Sequence, residues 1–196
     1  MRTALWFLLL SPAISFSGEF NKTLSLGDAA PNWKQLPGTV GQKHSLADIK
    51  TDYAIVVFTC NSCPVAEEYE DRIIALSKKY EGKATVVAIN VNLIPDDNLE
   101  AMKKRAAKKK FPFLYLFDAT QKIARDYGAN YTPEFFVLDK SRHVIYMGAL
   151  DDKTKATDVK EKYLEGALDK LLQGEKPTQG ETIARGCQIR FKRTRD

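Results

Sequence analysis

The run Tyr53-Ala54-Ile55-Val56-Val57-Phe58-Thr59 leads without a break into Cys60-Asn61-Ser62-Cys63-Pro64, and a helical pattern starts directly behind it. The run is apolar, β-branched and short, so it reads as a buried strand. Behind it Tyr69, Ile73, Leu76 and Tyr80 recur at spacings of four, three and four, which predicts an amphipathic helix that Gly82 ends. A strand that passes straight into a helix calls for a crossover and a parallel partner strand. This junction therefore restricts the fold more than any other part of the chain.

The alternation continues. Ala84–Val91 is a second β-branched run, and residues 92–98 form a loop with Pro95 and paired acids. A basic helix follows from Leu99 to Lys110, with Leu99, Met102 and Ala106 as its apolar stripe. Phe113–Phe117 is a third strand, and Gln121–Tyr127 a short helix closed by Gly128. Glu134–Leu138 and His143–Met147 read as a hairpin turned at Asp139–Arg142. Val159–Leu172 is a last helix, capped by Thr157 or Asp158 and stopped near Gly174. Ser45–Ile49 is one helical turn, and residues 18–38 are an irregular lead-in. The order β-α-β-α-β-α-β-β-α predicts an α/β fold, a mixed central sheet flanked by helices on both faces.

Met1-Arg2 and the apolar Ala4–Leu10, broken by Pro12 and followed by the small residues Ser15 and Ser17, read as a secretory signal over residues 1–17. An uncleaved anchor is the alternative, but the apolar run is too short to span a bilayer. The organisation expected is a signal at 1–17, a domain at 18–172 and a C-terminal extension at 173–196 with a short strand. Export to the periplasm or another extracytoplasmic space removes nucleic acid as the partner that a net charge of +5 and a pI near 9.0 would otherwise suggest. No membrane span is expected once the signal is cleaved. Disulfides persist in such a compartment.

Cys60 and Cys63 fall on one face of a single helical turn, close enough to join as a disulfide. A helix N-terminus favours the thiolate, the reactive form. The spacing makes Cys60 the thiol that attacks a partner's disulfide and Cys63 the one that resolves the mixed disulfide. Pro64 suits the first helical turn. A zinc site would need four ligands, and the chain has no second CxxC and only the isolated His44 and His143, so no metal is expected. A purely structural Cys60–Cys63 bond would close too small a loop to restrain the unfolded chain much. Thr132-Pro133 stands directly before a strand and fits either a cis or an ordinary trans peptide.

Together, the strand, Cys60-Asn61-Ser62-Cys63-Pro64, the helix, and Tyr131-Thr132-Pro133 before Phe135–Asp139 resemble the thioredoxin-like fold. Ala124–Gly128, Thr132-Pro133-Glu134 and Tyr146-Met147-Gly148 are similar to its redoxin branch, which includes alkyl hydroperoxide reductases and exported thioredoxin-like proteins. The resemblance covers about residues 24–172. It implies thiol–disulfide chemistry at Cys60 and Cys63, with a Cys60–Cys63 disulfide and no other cofactor. It also implies a cis Pro133 that faces the cysteines, with Thr132 and Pro133 shaping the substrate-docking edge. The partners implied are a protein or small-molecule disulfide or peroxide and an upstream redox protein. Thr59 replaces the tryptophan of thioredoxin, and no acid lies at 54–57 to accept a proton. Thiolate stabilisation then rests on the helix end and on donors from Asn61 and Ser62, opposed by Glu67, Glu68, Glu70 and Asp71.

Peroxidase chemistry is the alternative. It would make Cys63-Pro64 the peroxidatic pair, but Cys60 stands where such enzymes carry Thr or Ser, and Thr59 is one residue further back. Arg125 could serve as its charge partner, although its helix position reads as solvated. Copper delivery is weaker, because those relatives use CxxxCP and a histidine that the Thr132-Pro133 loop lacks. A non-catalytic scaffold or chaperone-like module would have no use for both cysteines. Cys187, Ile189 and Phe191 alternate with Gln188, Arg190 and Lys192, a half-buried strand in which Cys187 is a small buried thiol or, alternatively, a partner to the active pair. The clusters Lys103–Arg105, Lys108–Lys110 and Arg190–Arg195 read as solvated faces.

Overall fold

The computed structural model of the chain describes residues 18–193, so the segment read as an export signal lies outside the described residues. The strand expected at the first junction is β3, Tyr53–Phe58, and its side chains divide by parity. Ala54, Val56 and Phe58 join one core, while Ile55 and Val57 join another on the opposite face. β3 therefore lies at the centre of a sheet buried on both sides.

Around it the sheet runs in the order β5-β4-β3-β7-β8, with β4 at Ala84–Asn90, β5 at Leu114–Phe117, β7 at Glu134–Leu138 and β8 at Val144–Gly148. β3, β4 and β5 are parallel, and the hairpin β7–β8 adds antiparallel strands beside β3. The helices α1 (Pro64–Lys79), α2 (Leu99–Lys109) and α4 (Tyr163–Leu172) contribute to the core under Ile55 and Val57. The opposite core holds α3 (Lys122–Asp126), Trp33 and an edge-to-face cluster of Phe58, Tyr127 and Phe136. This is the α/β, mixed-sheet architecture that the element order predicts.

Two expectations need correction. The last helix starts at Tyr163, not Val159. The Asp152 carboxylate accepts from the backbone N–H groups of Lys160 and Glu161, and Asp152 N–H donates to Glu161, which keeps those residues out of helical pairing. The lead-in is less irregular than expected, because β1 (Leu36–Pro37) and β2 (Lys43–His44) form a small hairpin. The short strand expected in the C-terminal extension is β9, Cys187–Gln188, narrower than the alternation over 187–192, and it pairs antiparallel with β6, Tyr131–Thr132.

The last stretch is woven into the domain. Glu181 pairs as an isolated bridge with Met147 on β8, and its carboxylate accepts from the backbone N–H groups of Glu19, Phe20 and Asn21. Ala29 bridges to His143 on the same side, and Gly38 bridges to Leu116 on the far strand β5. Gly148 takes a φ of +129°, and a Cβ there would lie 2.1 Å from the Thr182 carbonyl oxygen, so only glycine lets the segment approach β8 this closely.

Candidate redox site

The site lies where β3 ends. Cys60 follows the strand, and Cys63 is the N-cap of α1, its sulfur accepting from the Ala66 N–H at 3.3 Å. Pro64 opens the helix, where its missing N–H costs nothing. Opposite the cysteines, the Thr132–Pro133 peptide is cis. The Thr132 hydroxyl lies 3.5 Å from Cys60 Sγ, and its carbonyl oxygen 3.2 Å from Cys63 Sγ.

The disulfide is not the one expected. Cys63 is bonded to Cys187, and Cys60 is a free, buried thiol. Cys187 is therefore not the lone buried thiol that the strand pattern favoured. β9 lays it against β6 with Thr132 opposite Cys187, which brings its sulfur onto Cys63. Local spacing places Cys60 near Cys63, but only the pairing of β6 with β9 could reveal the third sulfur. The Thr132 hydroxyl also lies 3.4 Å from the Cys187 carbonyl oxygen, so this one residue touches all three cysteines, and its single proton can serve either that oxygen or Cys60 Sγ.

Gly186 explains how the C-terminal segment comes so close. A Cβ at Gly186 would lie 2.1 Å from the Thr132 carbonyl oxygen and 2.6 Å from its carbon, distances that real side chains do not reach. Beyond β9, Ile189 is buried and donates its N–H to the Asn130 carbonyl. Gln121, fully buried, donates to the Val91 and Arg190 carbonyls and accepts from Lys192 N–H. Arg125 is exposed, as its helix position suggested, yet it also stacks on Phe191 at 4.3 Å and donates to the Lys192 carbonyl. Nothing in local sequence marks Gln121 or Arg125 as a clamp, because both partners lie about seventy residues on.

The electrostatics also differ from expectation. Arg105 pairs with Glu67 and Glu70, and Lys109 with Glu70 and Asp71, so most of the acids on α1 are neutralised by the basic helix read as solvated. The acid that acts on Cys60 is Asp97, fully buried in the loop before α2. Its carboxylate accepts from Asn61 N–H at 2.7 Å, Ser62 N–H at 3.1 Å, the Ser62 hydroxyl at 2.5 Å and Asn92 Nδ2 at 3.1 Å. Burial pushes the Cys60 thiol up, the Thr132 hydroxyl opposes that, and Asp97 adds to it. Ser62 Oγ also lies 3.8 Å from Cys60 Sγ, but its single proton belongs to the much shorter bond to Asp97. Asn61 does not serve the sulfurs either: it donates to the Asp96 carbonyl and accepts from the Tyr115 hydroxyl. The hydroxyl beside Cys60 comes from Thr132 rather than Thr59.

Glu134, directly after Pro133, is buried, and burial lifts its carboxyl to about 7 against the opposing pull of the Asn130 and Tyr131 N–H groups. Both N–H groups bind the same oxygen, Oε2, which leaves Oε1 to carry a proton. A folded value raised from 4.5 to about 7 means that the native state binds the proton more tightly than the unfolded chain. This stabilisation is full below the unfolded value and is lost as pH rises through the folded one. Native stability should therefore fall by about 3 kcal/mol between pH 4.5 and 7 from this group. Glu134→Gln should flatten that slope in denaturant titrations across the range, and an unchanged slope would remove Glu134 as its source.

A cysteine pair at a strand–helix junction, set against a proline-led antiparallel strand, defines a thiol-based redox protein of the thioredoxin-like fold. The AhpC/TSA family model matches residues 26–147, and the chain belongs to that family. Two solved structures lie near it. An uncharacterized conserved protein from Geobacillus kaustophilus is 32% identical, covering 87% of this chain and 94% of its own, with a TM-score of 0.82. A hypothetical protein from Sinorhizobium meliloti is 30% identical, covering 86% and 96%, with a TM-score of 0.80. A Chlorobium tepidum protein named "putative Thiol:disulfide interchange protein DsbE" is 26% identical over 63% of this chain and 84% of its own, with a TM-score of 0.56. No curated protein sequence matches the chain.

Proposed function

We propose that the protein is an exported thiol–disulfide oxidoreductase in which Cys63 forms the mixed disulfide with substrate and Cys60 resolves it. This reverses the division that the CxxC spacing suggested. The observation that carries the reading is the disulfide between Cys63 and a strand laid on β6, with free Cys60 in the same buried cluster. Cys63 is also the cysteine that a helix N–H serves, whereas burial and Asp97 raise the Cys60 thiol. In the reductive direction, the Cys63 thiolate attacks one sulfur of a substrate disulfide, and the other leaves as a thiolate. Cys60 then gives up its proton and attacks Cys63 Sγ, closing Cys60–Cys63 and releasing the first substrate sulfur. Two electrons pass to the substrate, and an upstream dithiol protein restores the pair. Export is supported by the sequence pattern of residues 1–17.

Reduced protein mixed with insulin tests this. Turnover should vanish in Cys63→Ser, and the double variant Cys60→Ser with Cys187→Ser, which leaves no second thiol to resolve it, should trap an adduct on Cys63. Adducts trapped on Cys60 in Cys63→Ser would restore the opposite division. Peroxide reduction is a second reading, favoured by the Cys63-Pro64 helix start with its Ala66 N–H donor. Fast peroxide consumption that survives Cys60→Ser but not Cys63→Ser would select it instead.

A further inference from the structure

We propose that Gly186-Cys187-Gln188-Ile189 is a built-in copy of the segment this site accepts. Its protein substrates would present an extended strand with glycine directly before the reactive cysteine and an aliphatic residue two positions after it. The inference rests on the reading of Cys63 as the cysteine that takes substrate, and it adds the identity of what docks there.

Each position of the resident segment meets a distinct constraint. Its backbone adds antiparallel to β6, with Tyr131 opposite Gln188 and Thr132 opposite Cys187, the pairing by which an extended peptide joins an exposed edge. At Gly186 any side chain would collide with the Thr132 carbonyl, and that oxygen cannot withdraw without moving the backbone beside both catalytic sulfurs. At Cys187 the sulfur is joined to Cys63. Gln188 points to solvent and selects nothing. Ile189 is 5% exposed and belongs to the same hydrophobic core as Tyr127 and Phe136, so an aliphatic side chain is required two residues after the cysteine.

The resident segment must leave before a substrate can pair, and Cys60 supplies the means. Its thiolate attacks Cys63 Sγ, the Cys63–Cys187 bond breaks, and the Cys60–Cys63 bond forms. Cys187 departs as a thiolate and takes up a proton in place of the one Cys60 lost. The exchange consumes no oxidant or reductant. The three cysteines thus share one disulfide, whose position sets whether the segment is tethered over β6 or held there only by the β6 pairing and the contacts of Ile189, Gln121 and Arg125.

The test uses the full chain carrying Cys60→Ser and Cys187→Ser, so that Cys63 alone reacts, with Cys63 charged as its thionitrobenzoate disulfide. Release of thionitrobenzoate is followed with three peptide thiols: Arg-Gly-Cys-Gln-Ile-Arg, the same peptide with alanine for glycine, and the same with lysine for isoleucine. Each rate is divided by that peptide's rate with free dithionitrobenzoate, which cancels intrinsic thiol reactivity. The glycine–isoleucine peptide should react at least about tenfold faster than either variant. Adding Gly186→Ala to the protein should displace the resident segment and speed the matching peptide further, with circular dichroism confirming the fold. Equal normalised rates for all three peptides, at a Cys63 that accepts them, would overturn the proposal and leave the parent reading standing. A Cys63 that exchanges with none of them, nor with dithiothreitol, would sink the parent reading itself.

Discussion

Under oxidising conditions Cys187→Ser should be less stable than the native chain by as much as about 5 kcal/mol, and the difference should vanish after reduction. The Cys63–Cys187 bond spans a sequence separation of 124 residues. Closing a loop of that length in the unfolded chain removes entropy worth about 5 kcal/mol in the loop-closure model. A Cys60–Cys63 bond, which the variant can still form, closes too small a ring to compensate. Such a loss is a large share of the total stability of an ordinary domain, about 5–15 kcal/mol. Denaturant unfolding of both proteins, with and without dithiothreitol, checks this. An equal deficit in the two redox states would mean that the serine harms the native packing rather than the cross-link.

Asp97→Ala should have the second-largest effect, a loss of about 3 kcal/mol. It would strip the acceptor from two backbone N–H groups, the Ser62 hydroxyl and the Asn92 amide at once. These bonds fix the turn between the two cysteines, so exchange activity should fall together with stability. Asp97→Asn separates the two roles. It keeps an acceptor oxygen for the loop but removes the negative charge that raises the Cys60 thiol. The Cys60 titration, followed by thiolate absorbance in protein whose other cysteines are replaced by serine, should move down in the Asn variant. A titration that stays in place would assign the raised value to burial alone.

The fold was largely legible because its signals are local. The apolar, β-branched run at Tyr53–Phe58, the stripe on Pro64–Lys79 and the Asp139–Arg142 turn are short-range patterns, and each reports its own element. The cysteine pair and Pro133 were legible for the same reason. What remained hidden depends on residues far apart in sequence. The paired acids at 96 and 97 were visible as a loop feature, but nothing local says that Asp97 turns inward to hold Asn61 and Ser62. Lys104, Lys108 and Lys110 are solvated as read, but Arg105 and Lys109 are not free, because their acidic partners lie on α1, some thirty-five residues away. Cys187 looked like a core thiol because a two-residue strand carries too little pattern to reveal its pairing partner. Gly186 is a local sign, because a glycine directly before a strand lets another backbone approach closely.

The isolated bridges along the sheet bear on self-association. Gly38 covers part of the outer edge of β5, while Ala29 and Glu181 cover the outer edge of β8. Both flanks of the five-stranded sheet are thus blunted by irregular chain, which withholds a template from neighbouring molecules. The remaining short edge, β6, is occupied by β9 only while the C-terminal segment is in place. Once Cys187 is released and the segment has also lifted from its non-covalent contacts, β6 is an open edge, and a neighbour's Gly186–Ile189 matches it as well as the molecule's own. Concentrated protein in that state is therefore predisposed to exchange tails between copies and to form linked dimers through Cys63 and a neighbour's Cys187.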